Sequence, residues 1–138
     1  MGLFDFIQSV ENTHRKHLAI EKEEKELLTP VIRDYSRMDE LYAVFTDEIS
    51  KRTNIKTTSI DGRRIFIFII IRLCCPAVFA GSKLKRGIRD RMAGVLNCDA
   101  STISHDFRNL TFHYKRYKGF RHTVDMVYDA MMETLMEK

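Results

Sequence analysis

The chain has 138 residues, 44% of them hydrophobic and 30% charged, with 2 Pro, 6 Gly, 3 Cys and a net charge of +4. These are the proportions of a globular protein with one core rather than of a disordered chain, and so little Gly and Pro leaves few turns for a many-stranded sheet. Three cysteines, two of them adjacent (Cys74, Cys75) and one distant (Cys98), fit neither a disulfide framework nor zinc-ligand spacing, which points to a reducing, cytoplasmic setting.

The charge is unevenly placed. Residues 1–50 hold 6 basic and 11 acidic side chains (net −5), residues 51–121 hold 16 and 4 (net +12), and residues 122–138 hold 1 and 4 (net −3). A cationic centre of this kind is the footprint of a polyanion-binding face. The start of the chain lacks a basic secretory leader, and Ile7 follows Phe6 where a myristoylation motif wants Ser or Thr.

In chain order, Leu3, Phe6, Ile7 and Val10 predict an amphipathic helix over 3–18. The charge run from Glu21 to Glu26 reads as a solvated helix, with Glu21–Lys25 as an i,i+4 pair, or as a linker. Thr29 and Pro30 read as cap and first position of a second helix, whose stripe is Val31, Tyr35, Met38, Leu41, Tyr42, Phe45 and Ile49. These two acidic helices either pack on the basic half or form a separate arm for oligomerisation or partner binding. Residues 54–62 read as a polar loop ending in a capping Asp61. The apolar run 65–71 has the composition of a buried strand, but no second such run exists to pair with it. A central buried helix over 63–75 is therefore expected, and seven apolar residues bounded by Arg72 and Pro76 are too few to span a membrane.

Residues 92–110 organise the rest. From Ser82 onward a basic helix is expected to run to Leu96, with Ala93 where another helix passes close. Asn97, Cys98 and Asp99 form a turn in which Asn97 accepts the left-handed conformation. Asp99 caps the next helix, its carboxylate accepting from the amides of Ser101 and Thr102. Ile103, Phe107 and Leu110 face inward, while Ser101, Thr102, Ser104, His105, Arg108 and Asn109 face out as hydrogen-bonding groups. Small polar residues at the start of such a helix suit close approach to a DNA major groove. Beyond it, basic and aromatic residues alternate over 111–122, with Phe112, Tyr117 and Phe120 expected inward and Lys115, Arg116, Lys118 and Arg121 outward. A last helix from about residue 120 to 136 has the stripe Phe120, Val124, Val127, Met131 and Leu135.

The string Asp99-Ala100-Ser101-Thr102-Ile103-Ser104-His105, with the basic pair Arg63-Arg64 opening an apolar helix upstream, resembles the origin-binding C-terminal domain of DnaA-type bacterial replication initiators, of the Trp-repressor-like helix-turn-helix class. The resemblance covers about a third of the chain and implies DNA contacts at Asp99, Ser101 and Thr102. The chain departs from that family in Ala100, where the family has a base-contacting His, in Cys98, where it has a basic residue, and in lacking a Gly-rich phosphate loop.

The expected fold is thus all-α, a multi-helix bundle containing a helix-turn-helix. An acidic helical arm (1–52) precedes a basic DNA-binding domain (53–138). The expected function is sequence-specific double-stranded DNA binding in transcription or replication control, with helix 100–114 in the major groove. Base contacts fall to Asp99, Ser101, Thr102, His105, Arg108 and Asn109. Phosphate contacts fall to Lys83, Lys85, Arg86, Arg89, Ser104, Lys115, Arg116 and Lys118. The arm or the last helix would supply a homodimer contact. The alternative is a protein-interaction module working through residues 1–50. No cofactor, metal or catalysis is expected: no Gly-rich phosphate loop or His-Glu-x-x-His string is present, His113 and His122 lie in basic surroundings without a local carboxylate to orient them, and His14 and His17 read as surface residues of an exposed helix.

Overall fold

The computed structural model describes residues 1–137. Among them are seven α-helices and no strand: α1 (Leu3–Leu27), α2 (Met38–Arg52), α3 (Ile60–Cys74), α4 (Arg86–Leu96), α5 (Ala100–Phe107), α6 (Leu110–Arg116) and α7 (Lys118–Met136). Short 3-10 turns occupy Tyr35–Arg37 and Pro76–Ala80.

α3 is the hub. Every residue from Ile65 to Ile71 is buried, whichever side of the helix it occupies. β-Branched residues form helix here because neighbours cover all sides, and burial of each Ile or Phe contributes about 1.5–3 kcal/mol, more than the propensity loss. The helix starts at Ser59, whose Oγ accepts from the Gly62 amide at 3.0 Å. Asp61, expected to cap it, lies inside the first turn, where its charge suits the helix dipole. Gly62 is packed against the preceding loop, so that a Cβ there would lie 2.9 Å from Thr57 Cα and nearer still to the Lys56 carbonyl oxygen. At its other end, Pro76 has no N–H with which to continue the helix. Among the last carbonyls of the helix, that of Leu73 accepts from the amides of Val31 (2.9 Å) and Ile32 (3.0 Å).

Those two bonds account for a difference from expectation. Thr29-Pro30 does not start a helix; Thr29 closes α1, its hydroxyl donating to the Lys25 carbonyl at 2.9 Å. The segment is held extended against α3, and helix resumes only at Asp34, whose Oδ1 accepts from the Ser36 amide and hydroxyl (3.0 and 2.6 Å). α2 then buries Met38, Leu41, Phe45 and Ile49. Phe45 and Tyr42 both pack on Phe66, each with ring centroids 5.1 Å apart. Glu48, also buried, pairs with Arg52 (3.2 Å) and accepts from the Thr134 hydroxyl (3.1 Å), tying α2 to α7.

A single core therefore runs from Ile32 to Met131 and includes α2. α1 stands outside it: all 25 of its residues are exposed, Leu3, Phe4, Phe6, Ile7 and Val10 among them. It continues as one helix through the charge run, where Glu21 pairs with His17 (2.9 Å) rather than with Lys25. α7 differs from α1 in that its stripe is used, with Val124, Val127 and Met131 buried and Phe120 and Leu135 half-buried. No helix among the described residues is long and apolar enough to cross a membrane.

Candidate nucleic-acid interface

α4 and α5 pack on each other through a three-residue turn. α4 begins at Arg86, later than expected, which leaves Lys83 and Lys85 in an extended lead-in. Asn97 adopts the left-handed conformation (φ 53°, ψ 51°), the one non-glycine among the described residues with positive φ. Its amide donates to the Gly94 carbonyl (3.3 Å) and that of Cys98 to the Ala93 carbonyl (3.0 Å). This is the paired bonding of a Schellman end, which satisfies carbonyls that the helix leaves open. Ala93 is buried, as its small size allows. Asp99 occupies the cap position of α5, but its side chain makes no capping hydrogen bond, contrary to expectation; it is exposed to solvent.

The inward face of α5 is not purely apolar. Ile103 is buried, and three residues on so is Asp106, whose side chain is 2% exposed. Asp106 accepts from Arg63 Nε and lies 3.6 Å from Arg64 Nε, so both arginines opening α3 converge on α5. Neither Asp106 nor this clamp was singled out in the sequence. The signal available was its i+3 spacing from Ile103, which puts a carboxylate on the buried face.

The outward face carries Ser101, His105, Arg108 and Asn109, all exposed, with Thr102 and Ser104 half-buried at its edges. Continuous helix over 100–114 was expected; instead α5 ends at Phe107 and α6 starts at Leu110. Arg108 and Asn109 therefore lie in the junction between two helices. Lys83, Lys85, Arg86, Lys115, Arg116 and Lys118 are exposed, and among the described residues none has a carboxylate within 4 Å. Arg89 differs, being half-buried with Asp90 at 3.6 Å.

The break resets the phase of α6. Phe112 and Tyr117, expected inward, are 60% and 51% exposed, whereas Leu110 is buried and Tyr114 turns in to stack on Phe68 (4.8 Å, 13°). The Tyr114 hydroxyl donates to Asp125 at 2.6 Å, fastening α6 to α7 and raising the tyrosine's pKa. All three cysteines are free. Burial raises the Cys98 pKa against the opposing pull of Arg63, so a reactive thiolate is disfavoured there. No cluster of three potential metal-ligating side chains occurs among the described residues.

The chain matches no family model, and no curated protein or solved structure is significantly similar to it.

Proposed function

We propose that the protein is a sequence-specific double-stranded DNA-binding protein of transcription or replication control, working in a reducing cytoplasm without chemistry of its own. α4, the 97–99 turn and α5 act as its helix-turn-helix, and α5 enters the major groove. The observation that carries this is the two-sidedness of α5. Ile103 and Asp106 fix one side to the core, while Ser101 and His105 remain exposed on the other, followed by exposed Arg108 and Asn109 in the junction with α6. Unpaired cations precede α4 and follow α5, where a duplex backbone passes on either side of a groove-bound helix. The resemblance of residues 99–105 to the DnaA-type domain adds Asp99 and Thr102 to the base-reading set. Ser104 and Arg89, half-buried, are the lesser phosphate contacts.

Two copies present two reading helices to two half-sites. α7 has its stripe in the core, which leaves α1 as the element free to join them. The same exposed α1 favours a second function, a protein-interaction module in which residues 1–50 bind a partner and α5 reads nothing. A gel shift on random genomic fragments at low salt separates the two. Retention of fragments, lost as salt rises, supports DNA binding; no retention at any salt supports the interaction module.

A further inference from the structure

Between α3, α6, α7 and the Pro76–Ala80 turn the bundle leaves a cleft of about 430 Å³. Its volume is that of a small-molecule pocket. Four aromatic rings surround it: Phe68, Phe79, Tyr114 and Tyr128. Phe68 is the hinge of this wall, stacked on Tyr114 and 5.4 Å from Phe79. Phe79 leaves 41% of its surface in solvent although the core is adjacent. Ile69 and Val124, both buried, form the floor. Rings that border open space as well as one another keep edges and faces to which a further planar group can add.

The polar lining sets the charge of the occupant. Arg72 interrupts the apolar run of α3 at the cleft, its guanidinium carbon 5.8 Å from the centre of the Tyr128 ring. No carboxylate lies within 4 Å of Arg72 or of Lys115 among the described residues. The one acid, Asp125, already accepts from Tyr114. Two unpaired cations against one engaged carboxylate leave the cleft with a surplus of one positive charge. Arg72 offers a planar, bidentate fork to a carboxylate while it stays stacked on Tyr128.

We propose that this cleft binds a small planar aromatic compound carrying a single carboxylate, the ring against Phe68, Phe79 and Tyr114 and the carboxylate on Arg72. Occupancy is measured without DNA, so the result does not depend on whether the protein binds it. Because Lys115 is also a phosphate candidate, the diagnostic variants leave it intact.

The test is a titration of the full chain with 2-naphthoate and with neutral 2-naphthylmethanol, read from the methyl NMR signals of Ile69 and Val124. Saturable shifts at both residues are expected with Kd about millimolar for compounds of this size, and the acid should bind about fivefold more tightly than the alcohol. Arg72→Gln should remove that preference while the alcohol still binds, and Thr111→Trp, which fills the mouth, should block both. Both variants are compared only once the remaining methyl spectrum matches the wild type, and Thr111→Phe, which also narrows the mouth, replaces the tryptophan variant if it does not. The proposal is overturned if Ile69 and Val124 do not shift up to the solubility limit, if acid and alcohol bind equally, or if Arg72→Gln leaves the preference intact.

Discussion

Asp106 is the residue whose replacement tests most about how α5 is held. Asp106→Asn keeps the shape and removes the charge, leaving Arg63 and Arg64 facing a neutral amide at a site where the carboxylate was 2% exposed. Breaking a buried pair from one side costs about 3–5 kcal/mol when the partner charge is stranded. Here the arginine side chains are 22% and 28% exposed, so water recovers part of that loss. A loss of about 2–3 kcal/mol follows, near that of one charge-assisted hydrogen bond, and the Tm should drop by about 6–12 °C. Urea unfolding of the single variants, of Arg63→Gln and of the double variant completes a cycle in which the coupling should exceed about 1 kcal/mol. A change under about 0.5 kcal/mol for Asp106→Asn, or additive single effects, would refute the clamp and with it the reason α5 keeps its polar face outward.

Other substitutions probe the local geometry. Gly62→Ala should destabilise the fold by about 1–3 kcal/mol in the same assay, because the added Cβ meets the backbone of residues 56 and 57 rather than a movable side chain. Asn97→Gly should be neutral or stabilising by up to about 1 kcal/mol, and Asn97→Ala destabilising by about 1 kcal/mol, since only the left-handed turn distinguishes them. At neutral pH a thiol reagent should label Cys98 first. Burial pushes Cys74 up to about 11 and Cys75 to about 12, so these should react only on unfolding. Because the folded state holds these two protons more tightly, their contribution to stability is complete below about pH 8.5 and is lost as the pH rises through those values. The urea midpoint should fall between about pH 9 and about pH 11 in the wild type, and fall less in a Cys74→Ala, Cys75→Ala variant.

Patterns that act over a turn or two of chain were legible before any coordinates. The stripes of α2 and α7, the small Ala93 and the Asn97 turn all follow from local spacing, and α3 followed by exclusion once no partner strand existed. What escaped depends on groups far apart in sequence. Pro30 looks like a helix start until the Leu73 carbonyl, more than forty residues later, takes the Val31 and Ile32 amides. Asp106 looks like one more solvated acid until α3 brings Arg63 and Arg64 to it. The break at 108–109 contains neither Gly nor Pro, so nothing local announced that Phe112 and Tyr117 would turn outward. Of the hydrogen-bonding side chains expected to face out, Ser101, His105, Arg108 and Asn109 are exposed and Thr102 and Ser104 half-buried. The break that divides the candidate interface between α5, a junction and α6 was not visible.

The most direct measurement is selection of duplexes from a random pool, followed by titration of the selected duplex and a scrambled one at several salt concentrations. The selected duplex should bind about a thousandfold more tightly, and log K should fall with log salt at a slope near −5 if Lys83, Lys85, Arg86, Lys115, Arg116 and Lys118 each neutralise a phosphate. His105→Ala and Asn109→Ala should erase the preference while keeping the slope, and Lys85→Ala should weaken both duplexes alike and flatten the slope by about one unit. No enriched sequence, or equal affinity for the two duplexes at every salt concentration, would contradict the assignment of α5 as a helix that reads DNA.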